Sequence, residues 1–398
     1  MERFDVVIIG AGIIGLSVAR ALKSRQPSLK ILVCEKEASV GLHASSRNSG
    51  VLHAGFYYSP ESLKAKFCRD GNRQLREFIQ RRNLPLLQIG KVVVTQSKEE
   101  EGHLTKLFDR GVANGVKLEF LSAKDLDKFE PLAVTHENFL WSPTTAVSDP
   151  RSVLIALVED LAVNGVEIRC SSQVTNFSNR KISLNGTEIS YKHLINAAGS
   201  QADRVAHRFD VGKEYSMLPF MGMYRYVKQK NLPIRTLVYP VPHVLNPFLG
   251  VHFTITFDKL VKIGPTAIPI LGREQYRFLS KIKLQDMKST LNSSLALAKG
   301  QHHSVTEIAR SEFPKFSSKF LVSESSKLVP TAAQVRGWKI KPPGIRAQLV
   351  NLQTGELVQD FLVKRGMDST HVLNAVSPGW TSALPFGEFI ANQVFNDL

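Results

Sequence analysis

The chain has 398 residues, 43% of them hydrophobic and 22% charged, a balance that allows a large core and about two domains and excludes a disordered or fibrous chain. Three widely spaced cysteines, Cys34, Cys68 and Cys170, form no Cys-x-x-Cys, which excludes a disulfide scaffold and fits a reducing compartment. A net charge of +16, spread along the chain, admits an anionic substrate or an anionic membrane surface; no nucleic-acid motif accompanies it, so nucleic acid is not expected as a partner.

Residues 4–9, FDVVII, read as a strand buried on both faces, as in a parallel sheet. Gly10-Ala11-Gly12-Ile13-Ile14-Gly15 follows at once, and Ile14, Val18, Ala21 and Leu22 recur at helical spacing. Residues 31–34 form a second apolar strand ending in Glu35, 20 residues beyond Gly15. Strand, glycine turn, helix, strand and terminal acid together are the dinucleotide-binding fingerprint. Gly10 permits the tight turn, Gly12 lets a pyrophosphate approach the backbone, and Gly15 lets helix and strand pack closely. The helix N-terminus offers N–H groups and the positive end of its dipole to the phosphates. Glu35 would accept hydrogen bonds from a ribose and repel a 2′-phosphate, which argues against an NADP-type ligand. Removing this stretch as a signal peptide would remove the nucleotide site, and no other run reaches about 18 apolar residues, so no spanning helix is expected.

A loop of small, polar and aromatic residues over 41–58 leaves the carboxyl end of the second strand, where ligands collect in open α/β sheets. An amphipathic helix is expected over 59–83, with Leu63, Phe67, Leu75, Phe78 and Ile79 inward, then a strand over 91–95 and a helix over 99–114. Residues 121–129 read as a short helix stopped by Pro131, 141–150 as loop and 151–164 as helix. Strands are expected at 167–170, 174–177, 181–184 and 187–190, with an Asn185-Gly186 hairpin turn, and a separate buried strand at 193–199. Strand-rich, aromatic sequence fills 217–257 and 262–264. Helices are expected at 274–299 and 304–311, with loop or helix at 315–327. Residues 345–363 return to strands around Gly355, and a strand at 371–375, a turn at 377–382 and a helix at 386–396 close the chain. His302-His303 reads as solvated surface, and no metal site is expected. The nucleotide fold thus starts at residue 1, is interrupted, and closes at the C-terminus. The expected fold class is α/β: a discontinuous Rossmann-like domain with a parallel sheet (1–88, 146–214 and 343–398) and a β-rich α+β substrate domain (89–145 and 215–342).

The fingerprint with Glu35, the Ala197-Ala198-Gly199 strand end and Gly344-Ile345-Arg346 resemble the glycine oxidase/D-amino-acid oxidase-like flavoproteins. More specifically, Ser46-Arg47-Asn48-Ser49-Gly50-Val51-Leu52-His53-Ala54-Gly55-Phe56-Tyr57-Tyr58 with Ser62-Leu63-Lys64-Ala65-Lys66 is similar to the L-2-hydroxyglutarate dehydrogenase/oxidase family. So are Leu249-Gly250-Val251-His252-Phe253-Thr254, Gly344-Ile345-Arg346-Ala347-Gln348 and Asn374-Ala375-Val376-Ser377-Pro378-Gly379-Trp380-Thr381. The resemblance spans nearly the whole chain and is weakest over 265–330. It implies FAD, held extended, and oxidation of L-2-hydroxyglutarate to 2-oxoglutarate, which would move a hydride from C2 to flavin N5; a quinone or oxygen is the expected electron acceptor, the quinone prompted by the basic surface. No cysteine lies beyond Cys170, which excludes the C-terminal cysteine linkage of some relatives; FAD is expected to be non-covalent, with attachment at His43 or His53 the less favoured alternative. The expected cofactor contacts are Gly10, Gly12, Ile14, Gly15, Glu35, Lys36, Ser45, Ser46, Arg47, Asn48, Ser49, Gly50, Val51, Val174, Ala198, Gly199, Gly379, Trp380 and Thr381.

Such a reaction needs a base for the hydroxyl proton, which favours histidine, and a cation for the α-carboxylate, which arginine grips bidentately. A second set of donors should hold the distal carboxylate. His53 and His252 are each candidates for base or carboxylate donor, and Arg346 matches the superfamily position that often binds a substrate carboxylate. Tyr57 and Tyr239 are candidate substrate donors. The bland counterparts are a core histidine satisfied by backbone, an ion-paired arginine and packed aromatics. The turn at 377–382 would offer N–H groups to the flavin's pyrimidine edge. Rival readings are an oxidase of secondary amines or amino acids on the same fold, an RNA-binding flavoprotein and a non-catalytic nucleotide scaffold. The expected location is the cytoplasm or the inner face of a membrane, or mitochondria if a transit peptide has been removed.

Overall fold

Strand Glu2–Ile9 is the centre of a parallel sheet. It pairs with Ile31–Cys34 on one side and Thr187–Asn196 on the other, and Glu167–Arg169 and Ser369–Asn374 extend the sheet outward in the same direction. Val6 and Ile8 pack beneath helices Ile13–Arg25, Pro150–Val163 and Ala383–Phe395, while Val7 and Ile9 face a cluster with Ile182, Leu184 and Phe209. Burial on both faces is what the unbroken apolar run requires. The computed structural model describes residues 1–242, 249–277, 282–300, 310 and 312–395. His302-His303 lies outside them, and of the helix expected over 304–311 only residue 310 is described. Among the described residues, no helix is long and apolar enough to cross a membrane.

A second, eight-stranded sheet runs in the order Lys339–Ile340, Arg225–Lys228, Leu260–Gly264, His252–Ile255, Leu237–Pro240, Lys91–Val94, Asn138–Ser142 and Glu119–Ser122. Its register sets Lys91 beside Leu237, Leu237 beside Thr254, and Thr254 beside Lys262. Val93, Tyr239, His252 and Gly264 form the neighbouring row on the same face, since alternate residues of a strand share a face. A four-stranded sheet pairs Tyr215–Gly222 with Gly344–Asn351, and so ties the two large sheets together near Arg346.

Four expected elements differ. Residues 119–122 form a strand before a short helix, Leu126–Phe129, and residues of the expected loop form strands Asn138–Ser142 and Ala146–Ser148. Phe120 and Leu121 lie opposite Leu140 and Phe139, and Val147 opposite Val51, so partners distant in sequence decide both cases. Residues 187–190 and 193–196 belong to one strand: its first half pairs with the Lys181–Leu184 hairpin arm and its second with Ser369–Asn374. Only Leu284–Lys299 is helical in the 274–299 stretch; Glu274 and Tyr276 instead fold back over the cavity described next.

Candidate active site

The glycine turn sits at one end of a cavity of about 940 Å³ that extends to Arg346. Gly10 has φ +104°, and a Cβ there would stand 2.5 Å from the Ala197 carbonyl oxygen; a Cβ on Gly15 would stand 2.0 Å from the Gly10 oxygen. Neither position admits a side chain, and the backbone is left bare toward the cavity. The Glu35 carboxylate accepts the Ala11 and Glu37 N–H groups, each at 3.0 Å, and keeps lone pairs for hydroxyls in the cavity. Ser45 Oγ accepts the Ile13 N–H at 2.9 Å, and the Leu16 N–H closes the first turn on the Gly12 carbonyl at 3.0 Å, which leaves the Ile14 and Gly15 N–H groups without an intrahelical acceptor.

A strap over 272–276 closes this end. Lys36 Nζ lies 2.7 Å from both Glu274 and Glu37, His43 bonds Tyr276 Oη at 2.8 Å and Glu37 at 3.0 Å, and the buried Arg273 pairs with Asp203. Glu37, His43 and Glu274 bring ligand atoms within 4.8 Å of one another, but the Lys36 ammonium supplies the cation between the two carboxylates. Hydrogen bonding from Lys36, ahead of that from His43, holds the Glu37 carboxyl at about 2.

At the other end, polar groups are stranded. His53 lines the cavity; its N–H donates to Thr381 Oγ1 at 3.1 Å and its carbonyl accepts from Asn72, which fixes its backbone. Burial, then the nearby Lys91 and Arg346 charges, push its imidazole down to about 3. His252 is buried, stacked 3.9 Å from the Tyr239 ring, and its Nδ1 contacts the Gly250 carbonyl at 2.7 Å. That carbonyl can only accept, so Nδ1 carries the proton and Nε2 is free as an acceptor. Burial holds His252 well below the ordinary histidine range, with Arg346, Lys262 and His53 acting in the same direction. Arg346 lines the cavity and hydrogen-bonds Tyr224; among the described residues it has no carboxylate partner. Lys91 is fully buried among the rings of Phe56, Tyr57 and Tyr239, with no hydrogen-bond acceptor among the described residues. Lys262, also buried, reaches the Ser49 carbonyl at 3.4 Å and lies over the Tyr224 ring. Burial brings both lysines down to about 7.

The sequence profile described as FAD dependent oxidoreductase matches residues 5–393. The human mitochondrial L-2-hydroxyglutarate dehydrogenase is 34% identical over 98% of this chain and 88% of its own length, and that of Salmonella houtenae is 34% identical over 98% and 93%. The chain belongs to the L-2-hydroxyglutarate dehydrogenase branch of the FAD-dependent oxidoreductases. Among solved structures, this flavoprotein resembles FAD-bound L-α-glycerophosphate oxidase from Mycoplasma pneumoniae (TM-score 0.77, 24% identity, 100% and 95% of the two chains) and glycine oxidase from Geobacillus kaustophilus (TM-score 0.73, 17% identity, 100% and 95%). FAD, held without a covalent bond, is its cofactor. The bare glycine backbone, the Glu35 lone pairs and the long cavity fit that group.

Of the expected flavoprotein residues, Gly10, Gly12, Ile14, Glu35, Lys36, Ser45, Arg47, Asn48, Ser49, Val51, Val174, Ala198, Gly199, Gly379 and Trp380 line the cavity, as do His53 and Arg346. Seven lie outside its lining. Gly15 packs against Gly10; Ser46 donates its N–H to Gly41 and His43 carbonyls; Gly50 turns the chain against Ser148. Thr381 Oγ1 accepts from His53 N–H and donates to the Val51 carbonyl, so it braces the site. Tyr57, Tyr239 and His252 stand behind the cavity wall around Lys91. Sequence reasoning missed Lys91, Lys262, Tyr224 and the strap residues Arg273, Glu274 and Tyr276. A charged residue in an otherwise apolar strand, KVVV or LVKIG, was the available signal for the two lysines.

Proposed function

We propose that this flavoprotein oxidises L-2-hydroxyglutarate to 2-oxoglutarate. Membership of its branch makes it an FAD-dependent oxidoreductase of a CH–OH group, acting on a 2-hydroxy acid. Charge carries the assignment of the acid: Arg346, Lys91 and Lys262 surround the two histidines with no carboxylate partner among the described residues, which suits a substrate with two carboxylates.

The glycine turn, Glu35 and the 45–51 loop would hold FAD, which when bound would supply the hydride acceptor for C2. Arg346 holds the α-carboxylate with its planar fork, and Tyr224 orients that fork. His53, neutral in the free site, takes the C2 hydroxyl proton. Two bound carboxylates offset the Lys91 and Arg346 charges, which lifts the imidazole toward the working pH and makes it an adequate base. His252, with its Nδ1 proton on the Gly250 carbonyl, keeps an unprotonated Nε2 as an acceptor and feels the Arg346 and His53 charges. The rings of Tyr224 and Tyr239 exclude water around these groups.

We also propose the division into 1–88, 146–214 and 343–398 against 89–145 and 215–342. The separate parallel and eight-stranded sheets support it, while the four-stranded sheet takes strands from both parts. Reoxidation by a quinone or by oxygen completes the cycle, and the +16 charge favours peripheral docking on an anionic membrane, from the cytoplasmic or the mitochondrial matrix side. Co-sedimentation with anionic vesicles that falls as salt rises checks the docking; no binding at low salt leaves oxygen or a soluble acceptor.

The decisive experiment is anaerobic bleaching of the flavin absorbance by both enantiomers of 2-hydroxyglutarate and 2-hydroxybutyrate, by sarcosine and by D-alanine. Rapid bleaching by L-2-hydroxyglutarate is expected. Bleaching by the amines alone, or by none of the panel, overturns the proposal.

A further inference from the structure

The cavity walls explain Arg346 and His53, but not Lys91. Its ammonium is fully buried, and among the described residues it has neither a carboxylate nor a hydrogen-bond acceptor. The Phe56 and Tyr57 rings lie 4.4 Å from it and the Tyr239 ring 4.8 Å. Tyr57 Oη is also buried without a partner. Ring faces attract a cation but leave its three N–H donors unmet, and a buried unpaired charge is among the costliest arrangements a core can hold. An ammonium and a phenol hydroxyl, both donors and both lacking acceptors, are complementary to one chemical class: a carboxylate.

Their placement fits the substrate's geometry. Arg346 and His53 line the cavity, and Lys91, whose charge also acts on His53, stands behind that lining. In a 2-hydroxy dicarboxylate the reacting C2–OH adjoins one carboxylate and points the other away along the chain. With Arg346 on the near carboxylate and His53 at the hydroxyl, the far carboxylate points away from Arg346, and Lys91, unpaired behind the cavity lining, is the cation left to receive it. Lys262 is the competing cation. It already reaches the Ser49 carbonyl, and Ser49 belongs to the loop lining the cofactor cavity.

We propose that Lys91, with the Tyr57 hydroxyl, is the receptor for the distal carboxylate and sets the preference for a dicarboxylate over a monocarboxylate of equal length. The proposal rests on the hydroxy-dicarboxylate assignment above. The groups that face Lys91 are the Cys68 thiol from helix Leu63–Arg81, His53 and Tyr57 from the loop, Tyr239 from the adjoining strand, and Ser142 from the strand on its other side. Burial holds Cys68 up at about 12, so a thiol, not a thiolate, faces the lysine. None of these groups neutralises the ammonium; the substrate does.

The test uses the FAD-loaded enzyme and compares kcat/KM for L-2-hydroxyglutarate and L-2-hydroxypentanoate in wild type, Lys91→Met and Lys262→Met. Methionine keeps the length of the side chain and removes the charge. Lys91→Met is expected to lower kcat/KM for the dicarboxylate by about 10- to 100-fold, the range for a hydrogen bond to a charged group, and to change the monocarboxylate value less than about threefold. Its melting temperature should not fall, because an unpaired buried charge has been removed. Equal losses on both substrates, or the discrimination moving with Lys262→Met instead, overturn the proposal. A wild type that prefers L-2-hydroxypentanoate, or oxidises neither acid, refutes the dicarboxylate assignment itself.

A second measurement needs no variant. Glutarate and pentanoate, which lack the hydroxyl, are titrated into wild type and followed by the flavin difference spectrum. Because the free lysine titrates near 7, glutarate must bring a proton with it at higher pH. Its Kd is expected to rise about tenfold per pH unit above that point, while that of pentanoate stays flat. A glutarate Kd that does not change between pH 6 and 9 overturns the proposal.

Discussion

At the glycine-turn end of the cavity, Lys36, Arg204 and Arg273 each face a carboxylate, of Glu274, Asp286 and Asp203. At the His53 end, Lys91, Lys262 and Arg346 face rings, hydroxyls and a backbone carbonyl. The glycine-turn end is the more exposed of the two, yet its Arg273–Asp203 pair is as buried as Lys91, so burial alone does not separate the ends; completeness of pairing does. A site for a resident cofactor can satisfy its own charges, because its occupant stays. A site whose occupant turns over must keep its charges unpaired between cycles, and stability falls by the cost of holding them.

The largest expected effect is at the unpaired end. His53→Ala should lower kcat by about 10²–10⁴ with FAD still bound, read from steady-state rates normalised to flavin absorbance. A near wild-type kcat would pass the base role to His252. Arg346→Ala should reduce kcat/KM by about 2–5 kcal/mol of transition-state stabilisation for long and short 2-hydroxy acids alike, and Arg346→Lys should recover only part. A loss confined to the five-carbon acid would place Arg346 on the distal carboxylate instead.

At the paired end the effects should be smaller. Glu35→Ala removes the acceptor for the Ala11 N–H and for a ribose, and should weaken FAD binding by about 1.5–3 kcal/mol in titrations of the apoprotein. His43→Ala breaks a partly exposed pair and should cost about 1 kcal/mol or less in the same titration. If His43→Ala weakened FAD more than Glu35→Ala, the strap rather than the glycine turn would dominate retention.

Proton linkage sharpens the contrast further. His53 is held at about 3 and His371 at about 4, mainly by burial, below their unfolded value near 6.5. The unfolded chain therefore binds more protons in that window, and stability is lost as pH falls below about 6.5. His53→Ala should flatten that slope in acid titrations monitored by fluorescence. For Lys91 the folded value of about 7 lies below the unfolded value near 10.4, so the charged form is disfavoured by folding. The melting-temperature advantage of Lys91→Met should be largest below pH 7 and shrink as pH rises toward 10. A gain that grows with pH would mean Lys91 is paired in solution.

At the paired end the glycine turn was legible, and at the other end His53 and Arg346 were. Gly10, Gly12, Gly15 and Glu35 act through backbone geometry at fixed spacing, and spacing is visible in one dimension. The unpaired end is assembled across strands: Lys91 meets Tyr239 and His252 only through the pairing of Lys91–Val94 with Leu237–Pro240 and of that strand with His252–Ile255. Nothing in KVVV separates an inward lysine from an edge lysine until those neighbours exist. The strands Glu119–Ser122 and Asn138–Ser142 escaped notice for the same reason, whereas helices Ile13–Arg25 and Pro150–Val163 carry their own periodicity. The strap was hidden because 274–283 reads as the start of the helix that follows it.

The order in which the parallel sheet is threaded bears on how the protein is made. Strand Glu2–Ile9 leaves the ribosome long before its neighbour's outer partner, Ser369–Asn374. Helix Ala383–Phe395 then seals against helix Ile13–Arg25, with Gly387 so close that a Cβ would stand 2.6 Å from the Ser17 backbone. For most of translation the face of that first helix is therefore an uncovered apolar surface, a natural client for a chaperone. Loading of FAD then waits until helix Ala383–Phe395 has emerged, and nascent chains stalled before that helix should be colourless.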